Sequence, residues 1–240
     1  QATRLPQFLD KDQKEYEATI QFGFETDTGD LTGGMRDEGR GMRDEEIVGI
    51  LNKTNWDEVF NSFRGQILQT PPMYSAKKVD GKKLYELARK GIEIERKPVA
   101  VTIYELELIG EIRNPQSQIR IRVSCSAGTY IRTLAEDIGR KIGVPCHLSA
   151  LRRTRAGKFH LSQAVTLENI ENARFISMNE ALSHLPEIKL SAEDVKKARN
   201  GMKLPSNLQA EFIRLTDAEK NLIAIGAAGE NFIRPKIVFV

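Results

Sequence analysis

Strict alternation of apolar and polar residues in two segments constrains the fold of this chain more than any other feature. One face of YEATIQFGF carries only apolar side chains: Tyr16, Ala18, Ile20, Phe22 and Phe24. In SQIRIRVSC the apolar residues of 119–125 alternate in the same way with Arg120, Arg122 and Ser124. A period of two residues is typical of a strand with one buried face. Both segments are therefore predicted to be strands that cover a core.

Helical spacing follows in other parts of the chain. EEIVGILNK and WDEVFNSFRG are predicted to be short amphipathic helices, and the segment around Leu84 and Leu87 a third that ends at Gly91. In TYIRTLAEDIGRKIG the apolar residues keep the spacing of a helix with one buried face. Strands and helices without regular alternation predict an α+β fold, with a mixed, largely antiparallel sheet flanked by helices.

The character of the sequence changes near residue 180. SAEDVKKARNG is predicted to be a short helix capped by Ser191 and ended by Gly201, and three short strands follow in EFIRLTD, NLIAIGAAG and FIRPKIVFV. The predicted organisation is therefore a larger domain over 1–180 and a small β-rich domain over 181–240.

Composition excludes several classes of protein. Of the 240 residues, 40% are hydrophobic and 29% charged, which indicates a folded globular protein. No segment approaches the roughly 20 apolar residues of a membrane helix, so no membrane association is expected. The two cysteines predict no disulfide framework, and a cytoplasmic location is expected. The three histidines lack the spacing of a metal site, so no metal is expected.

The formal net charge of +3 does not by itself predict a nucleic-acid partner, but the basic residues are clustered. PPMYSAKK and GKKLYELARKG combine Lys78 and Lys83 with tyrosines, a pattern that suits contacts with phosphates and bases. LSALRRTRAGKF places Arg152 and Arg153 beside a predicted strand. The alternative interpretations are a solvated helix face for the first cluster and a charged strand edge that prevents aggregation for the second.

Arg132 lies in the first turn of the helix that follows Gly128, away from its apolar stripe. A cation at this end opposes the helix dipole, so its placement is explained if Arg132 faces a carboxylate or a phosphate. Alternatively, Arg132 is simply exposed and Tyr130 belongs to the core. Tyr16, at the beginning of its strand, has the same open choice between a functional tyrosine and a tyrosine at the edge of the core.

Four segments in this order resemble the TruB family of tRNA pseudouridine synthases: QATRLPQFLDKDQKEYEATIQFGFETDTGD, QTPPMYSAKKVDGKKLYELARKGIEI, GTYIRTLAEDIGRKIG and CHLSALRRTRAGKF. The tail resembles the small PUA-like RNA-binding domain of bacterial members. The resemblance implies isomerisation of uridine 55 in the tRNA T-loop, with base flipping and without a cofactor. It implies the T-loop and stem of tRNA as partner, and a monomer is expected.

The resemblance also implies roles for individual residues. Tyr16 and Arg132 match catalytic positions, and the uridine would bind against Tyr16, Tyr130 and Leu151. RNA contacts are expected at Lys78, Lys83, Arg152 and Arg153. The family's nucleophilic Asp belongs to a Gly-x-Leu-Asp-Pro-type loop that is expected ahead of Gln1, so the chain is expected to be a truncated form. The alternatives are a non-catalytic tRNA-binding or RNA-folding module and a protein-interaction domain.

Overall fold

The structure, a computed structural model, describes residues 1–10, 12–36, 42–79, 81–110 and 117–239. The chain divides into two compact units. The central unit comprises Lys11–Gln163, and the C-terminal unit comprises Gln1–Asp10 together with Ala164–Val240. This division precedes the expected boundary near residue 180, and the first residues of the chain belong with the last. The assignment of the units to a catalytic and a PUA-like domain stays a prediction.

The central unit is built on an antiparallel sheet. Its strands are β1 (Gln13–Phe22), β2 (Gly65–Gln69), β3 (Lys78–Val79), β4 (Lys82–Lys83), β5 (Val99–Leu108), β6 (Gln118–Ser126), β7 (Cys146–Ala156) and β8 (Phe159–His160). Its helices are α1 (Asp44–Lys53), α2 (Trp56–Asn61), α3 (Leu84–Ala88) and α4 (Ile131–Ile142). Six strands pair in the order β2-β5-β6-β1-β7-β8, and β3 and β4 form a separate hairpin. The predicted α+β fold with a largely antiparallel sheet is confirmed.

Strand β1 lies between β6 and β7 at the centre of this sheet. Its register places Ala18 opposite Ile121, so the apolar faces of β1 and β6 coincide. Directly opposite residues of an antiparallel pair point to the same side of the sheet. Residues of α1, α2 and α4 pack against this face, among them Leu51, Phe60 and Leu134. The alternating apolar residues of β1 and β6 therefore belong to one continuous hydrophobic core.

Strand β1 ends at Phe22, earlier than the alternation predicts. Gly23 has a φ of 124°, a backbone conformation that side chains other than hydrogen strongly disfavour. Its N–H donates to the carbonyl of Pro145, so the turn is fixed to the segment before β7. The chain leaves the sheet at this point and forms the loop that carries Thr28 and Asp30.

Helix α4 has the buried stripe that its sequence predicts. Ile131, Leu134 and Ile138 are buried, and Gly143 ends the helix in the left-handed conformation. The helix follows β6 directly, so its first turn lies at the end of a central strand. Strand β6 and helix α4, which are both predicted from the local pattern, thereby place Arg132 beside the sheet.

The C-terminal unit contains a second sheet. Its strands are β9 (Glu187–Lys189), β10 (Leu204–Pro205), β11 (Ile213–Thr216), β12 (Leu222–Ala228) and β13 (Phe232–Val238), and its helices are α5 (Met178–Ala181) and α6 (Ala192–Arg199). The strand order is β10-β13-β12-β11-β9, with β9 and β11 parallel. The Ser191 hydroxyl accepts from the Asp194 N–H, as the capping pattern predicts.

The first residues of the chain complete the core of the C-terminal unit. Leu5 and Phe8 are buried in a cluster that contains Phe239. The rings of Phe8 and Phe212 meet edge to face at 4.9 Å between centroids. Arg4 Nη1 donates to the carbonyl of Val238 at 2.9 Å. This unit is therefore assembled from both ends of the sequence.

Two findings concern the rest of the described chain. None of its helices is both long and apolar enough to cross a membrane. The sequence repeats GMRDE at 34–38 and 41–45, which predicts a mobile loop, and Asp80-Gly81 predicts a turn. Residues 37–41 and Asp80 lie outside the described residues.

Gly139 should resist substitution because α4 packs closely against the start of β7. A Cβ at this position would lie 2.6 Å from the sulfur of Cys146 and 2.7 Å from the carbonyl oxygen of Val144. Alanine favours a helix over glycine by about 1 kcal/mol, but overpacking costs about 1–3 kcal/mol. We expect Gly139→Ala to lower the free energy of unfolding, measured by urea denaturation.

Gly49→Ala is the matched control, because a Cβ on this glycine of α1 would meet nothing within 4 Å. Here only the higher helix propensity of alanine acts, and we expect the free energy of unfolding to rise by about 0.5–1 kcal/mol. If both variants are equally stabilised, the close contact at Gly139 does not exist.

Candidate active site

The guanidinium of Arg132 joins three parts of the central unit. Its Nη1 donates to the carbonyl of Thr28 at 3.1 Å and to the Asp30 carboxylate at 3.0 Å. Its Nη2 donates to the carbonyl of Tyr74 at 2.7 Å. The side chains of Arg132 and Asp30 are only 25% and 27% exposed, so water screens this ion pair incompletely. The expectation that Arg132 faces a carboxylate is met by Asp30 among the described residues.

Asp30 is held ionised by its own loop. The Thr28 and Thr32 hydroxyls donate to Oδ1 at 2.8 and 2.6 Å. Burial by itself would raise the pKa of the Asp30 carboxyl, but hydrogen bonds from Thr32 and Thr28 and the charge of Arg132 lower it below the ordinary value. The Leu148 N–H donates to the carbonyl of Gly29 at 3.0 Å and fixes the loop to β7.

A cavity of about 410 Å³ opens beside this ion pair. Its lining residues are Asp30, Leu31, Thr32, Arg132, Leu148, Ser149, Ala150 and Leu151. Leu151, predicted to contact uridine, is 48% exposed and gives this hollow an apolar wall opposite fixed charges. The size and mixed lining suit a small planar polar group better than a hydrocarbon.

Tyr16 lies on the same face of the sheet as Leu151 but does not line the cavity. Ala18 pairs with Leu151 across β1 and β7, and Tyr16 pairs with Arg153 one step further along the same face. Tyr16 is 6% exposed, and its hydroxyl accepts from Arg153 Nε at 3.2 Å. The guanidinium carbon of Arg153 also lies 5.3 Å from the centre of the Tyr16 ring. The phenol is thus fixed at two points.

Tyr130 is the N-cap residue of α4 and is half-buried. Its backbone N–H and carbonyl both bond to the side chain of Gln69. Like Tyr16, it is not among the described residues that line the cavity. Arg132 and Leu151 therefore line the same cavity. Tyr130 lies two residues before Arg132 in the chain, and Tyr16 lies on the same face of the sheet as Leu151.

Lys78 and Lys83 face each other across the β3–β4 hairpin. The Lys83 ammonium donates to the Tyr85 hydroxyl at 3.1 Å, and this hydrogen bond raises the pKa of Lys83. The guanidinium carbon of Arg89 lies 5.4 Å from the centre of the same ring. The hairpin and the helix after it therefore carry a compact cluster of cations around one aromatic ring, as the sequence suggested.

The two adjacent arginines of β7 point to opposite sides of the sheet. Arg152 pairs with Glu17, and Arg153 pairs with Tyr16. Successive residues of a strand alternate between faces. Arg153 therefore lies on the face of the candidate site, whereas Arg152 lies on the far face beside Glu17 and the shallow hollow that contains His160.

Asp30 is the site residue that sequence reasoning missed. A signal existed in ETDTGDLTG, where two threonines surround an Asp directly after a turn glycine. Such hydroxyls can bond to a carboxylate nearby, but nothing local indicates that the carboxylate meets Arg132. In the part of the chain that the structure describes, His, Cys, Asp and Glu side chains form no group of three that could hold a metal ion.

Comparison with known proteins assigns the chain to a family. The family model "TruB family pseudouridylate synthase (N terminal domain)" matches residues 1–131, and "tRNA pseudouridylate synthase B C-terminal domain" matches residues 132–194. The tRNA pseudouridine synthase B of Geobacillus thermodenitrificans is 42% identical over 87% of this chain and 71% of its own length. That of Bacillus cereus is 39% identical over 93% of this chain and 75% of its own length. The chain belongs to the TruB family of pseudouridylate synthases.

Solved structures agree with the fold. The crystal structure of a Cbf5-Nop10-Gar1 complex contains a chain that matches with a TM-score of 0.62 at 22% identity. The match covers 99% of this chain and 70% of that chain. At this level of identity the similarity confirms the fold, including the β-rich C-terminal part.

Replacing Asp30 should change how the free energy of unfolding depends on pH. Because the pKa of Asp30 in the folded protein lies below its ordinary value of 3.8, ionisation stabilises the fold at higher pH. We expect Asp30→Asn to lower the free energy of unfolding by about 1–3 kcal/mol at neutral pH. The difference from the wild type should shrink as the pH falls through the folded pKa.

Urea denaturation between about pH 3 and pH 7 measures this difference. Asp57→Asn, at an exposed carboxyl in the first turn of α2, serves as the control. A difference for Asp30→Asn that stays constant with pH would show that the carboxylate charge does not stabilise the site.

Proposed function

We propose that this chain forms the uridine pocket of a tRNA pseudouridine synthase that isomerises uridine 55 in the T-loop. The observation that supports it most is the Arg132–Asp30 pair beside a cavity with Leu151 on its wall. Relatives that are about 40% identical over most of the chain carry the name tRNA pseudouridine synthase B. We also propose that the nucleophilic Asp comes from the family loop expected ahead of Gln1.

The substrate base must leave its stack to reach this cavity. Extruding a base costs roughly a few kcal/mol, and contact with an aromatic ring restores about 1–3 kcal/mol. In our proposal the uracil lies against the exposed side chain of Leu151, on the face of the sheet that also carries Tyr16. Tyr16 is 6% exposed and lies outside the cavity, so in our proposal a local rearrangement gives the base access to its ring.

The reaction exchanges one bond of the ribose for another. The bond from C1′ to N1 of uracil breaks with its electron pair on the base, the base turns, and C5 bonds to C1′. A proton leaves C5 and another is gained at N1, so the product is an isomer. The carboxylate that begins this sequence, by attack on the ribose or on the base, must stay ionised in a closed pocket. In our proposal Arg132 keeps it ionised and oriented.

Tyr16 has a hydroxyl suited to the proton transfer. Its oxygen already accepts from Arg153 Nε, and its own hydrogen remains available for donation. A phenol held in this way can exchange a proton with the turning uracil at close range. We therefore propose Tyr16 as acid or base and Arg153 as the group that holds it.

RNA affinity is proposed to come from positive charge outside the pocket. Lys78 and Lys83 on the β3–β4 hairpin suit phosphate contacts, with Tyr85 beside them. Arg153 lies on the pocket face, whereas Arg152, proposed as an RNA contact from the sequence, would have to meet RNA on the far face. The C-terminal unit is proposed as a further RNA-binding surface by its resemblance to PUA-like domains.

The deciding experiment incubates the complete protein with an unmodified tRNA transcript and maps pseudouridine. We expect modification in the T-loop at position 55 and none in a transcript with cytidine there. Salt-dependent binding without pseudouridine would instead favour the non-catalytic RNA module. Absence of salt-dependent RNA binding would contradict both proposals and favour a protein-interaction domain.

Arg132→Lys separates chemistry from binding. An ammonium is a point charge and cannot reach the three acceptors that the guanidinium bridges. We expect turnover to fall by about 10²-fold or more, while the dissociation constant for tRNA changes by less than about threefold.

Arg140→Lys on the same helix is the control, because Arg140 is exposed and pairs with carboxylates one turn away. It should leave turnover unchanged. Equal losses of turnover and affinity in Arg132→Lys would place Arg132 in RNA binding rather than chemistry.

A further inference from the structure

We propose that Gln69 is a positioning residue for Arg132, acting through the backbone of Tyr130. The proposal rests on the function proposed above, because its kinetic consequence requires Arg132 to act in the reaction. It concerns a glutamine at the end of β2, in a segment that the sequence suggested only as the approach to a basic cluster.

The carboxamide of Gln69 pairs with both backbone polar groups of Tyr130. Its Oε1 accepts from the Tyr130 N–H at 3.0 Å, and its Nε2 donates to the Tyr130 carbonyl at 3.3 Å. The two residues are 61 positions apart in the sequence. A carboxamide that both donates and accepts copies the hydrogen bonding of a neighbouring strand, so it fixes the position and the orientation of that peptide.

The burial of Gln69 indicates that its pairing with Tyr130 is part of the folded core and not a surface contact. Gln69 is 1% exposed, at the end of a strand whose other residues are exposed or half-buried. A buried carboxamide is costly unless its polar atoms are bonded. Both bonds of Gln69 go to Tyr130, the N-cap residue of α4. The Tyr130 N–H has no partner within the helix, whereas its carbonyl also accepts from the Leu134 N–H at 3.0 Å.

The same stretch of chain holds Arg132 a second time. Gln69 holds the backbone at Tyr130, and the carbonyl of Tyr74 accepts from Arg132 Nη2. Between them Pro71 and Pro72 fix two backbone angles, and Arg96 Nη1 donates to the carbonyl of Pro71 at 3.1 Å. The segment 69–74 is thus a stiff brace. It holds the start of α4 through the backbone of Tyr130 and through the guanidinium of Arg132.

This brace continues directly into the β3–β4 hairpin with Lys78 and Lys83. The Tyr85 N–H donates to the carbonyl of Ser75 and ties the helix after the hairpin to the end of the brace. The proposed RNA contacts and the guanidinium therefore share one support. Loss of the Gln69 pairing should release the first turn of α4 and move the guanidinium, while the lysines that bind RNA stay on their hairpin.

The first test compares Gln69→Leu with Gln66→Leu in the complete protein. Gln66 is exposed on the same strand and provides the matched control. We expect Gln69→Leu to lower kcat about 10- to 100-fold, because small displacements of a reacting group carry such costs. The dissociation constant for tRNA should change less than about threefold, and Gln66→Leu should match the wild type in both.

The second test uses Gln69→Glu as a titratable replacement of similar shape. A protonated carboxyl both donates and accepts, as the carboxamide does, whereas a carboxylate only accepts. Burial favours the protonated form. The kcat of Gln69→Glu relative to the wild type should therefore be highest at low pH and fall about tenfold or more between about pH 6 and pH 8.5. The ratio for Gln66→Glu should not depend on pH.

A third readout does not need activity. Hydrogen exchange at the Tyr130 amide should be at least about tenfold faster in Gln69→Leu than in Gln66→Leu, with protection of the central strands unchanged. If the wild type makes no pseudouridine, the proposed function fails, and this exchange still decides whether Gln69 fixes Tyr130.

Three results would overturn the positioning role. One is a Gln69→Leu protein with the turnover of Gln66→Leu. Another is an equal loss of turnover and RNA affinity, which would make Gln69 part of RNA binding. The third is unchanged exchange at Tyr130.

Discussion

A guanidinium that is three-quarters buried must find acceptors for its N–H groups, and this requirement organises the centre of the molecule. Arg132 obtains them from Thr28, Asp30 and Tyr74. These acceptors lie in two loops that are far apart in the sequence. The central sheet brings the loops to one end of α4, and the charge then binds them together. Stability and the proposed chemistry therefore depend on the same contacts at this point.

The pleat of the sheet places different charged residues on its two faces. On the core side, β1 and β7 present Tyr16, Arg153 and Leu151 close to the cavity. On the far side, Glu17 lies between the guanidinium groups of Arg120 and Arg122 at 3.5 and 3.6 Å. Such pairs on an exposed face contribute little energy, but the Glu17 carboxylate offsets part of the positive charge beside it.

Local pattern was enough to predict strands β1 and β6 and helix α4 of the central unit, and the capped helix α6 of the C-terminal unit. The alternation in β1 and β6, the stripe of α4 and the Ser191 cap all depend on neighbours within a few residues. The partners of Arg132 and Tyr130 did not follow from the sequence, since they lie 102 and 61 positions away. No local period specifies which loop meets which helix.

The side on which each arginine of β7 lies was also beyond the sequence. Irregularities between Glu15 and Tyr16 and between Thr19 and Ile20 shift the pairing of β1 with β7. A shift of one residue exchanges the two faces of a strand. Adjacent basic residues therefore look equivalent in the sequence, although only Arg153 reaches the phenol of Tyr16.

The packing of Leu5 and Phe8 with Phe212 and Phe239 has a consequence for biosynthesis. Leu5 and Phe8 leave the ribosome before their partners Phe212 and Phe239, which lie at least 204 positions later in the sequence (212 − 8 = 204). Contacts of such sequence separation form late because the intervening loop must first close. Leu5 and Phe8 therefore stay uncovered while the central sheet assembles, and chaperones can bind these apolar side chains during translation.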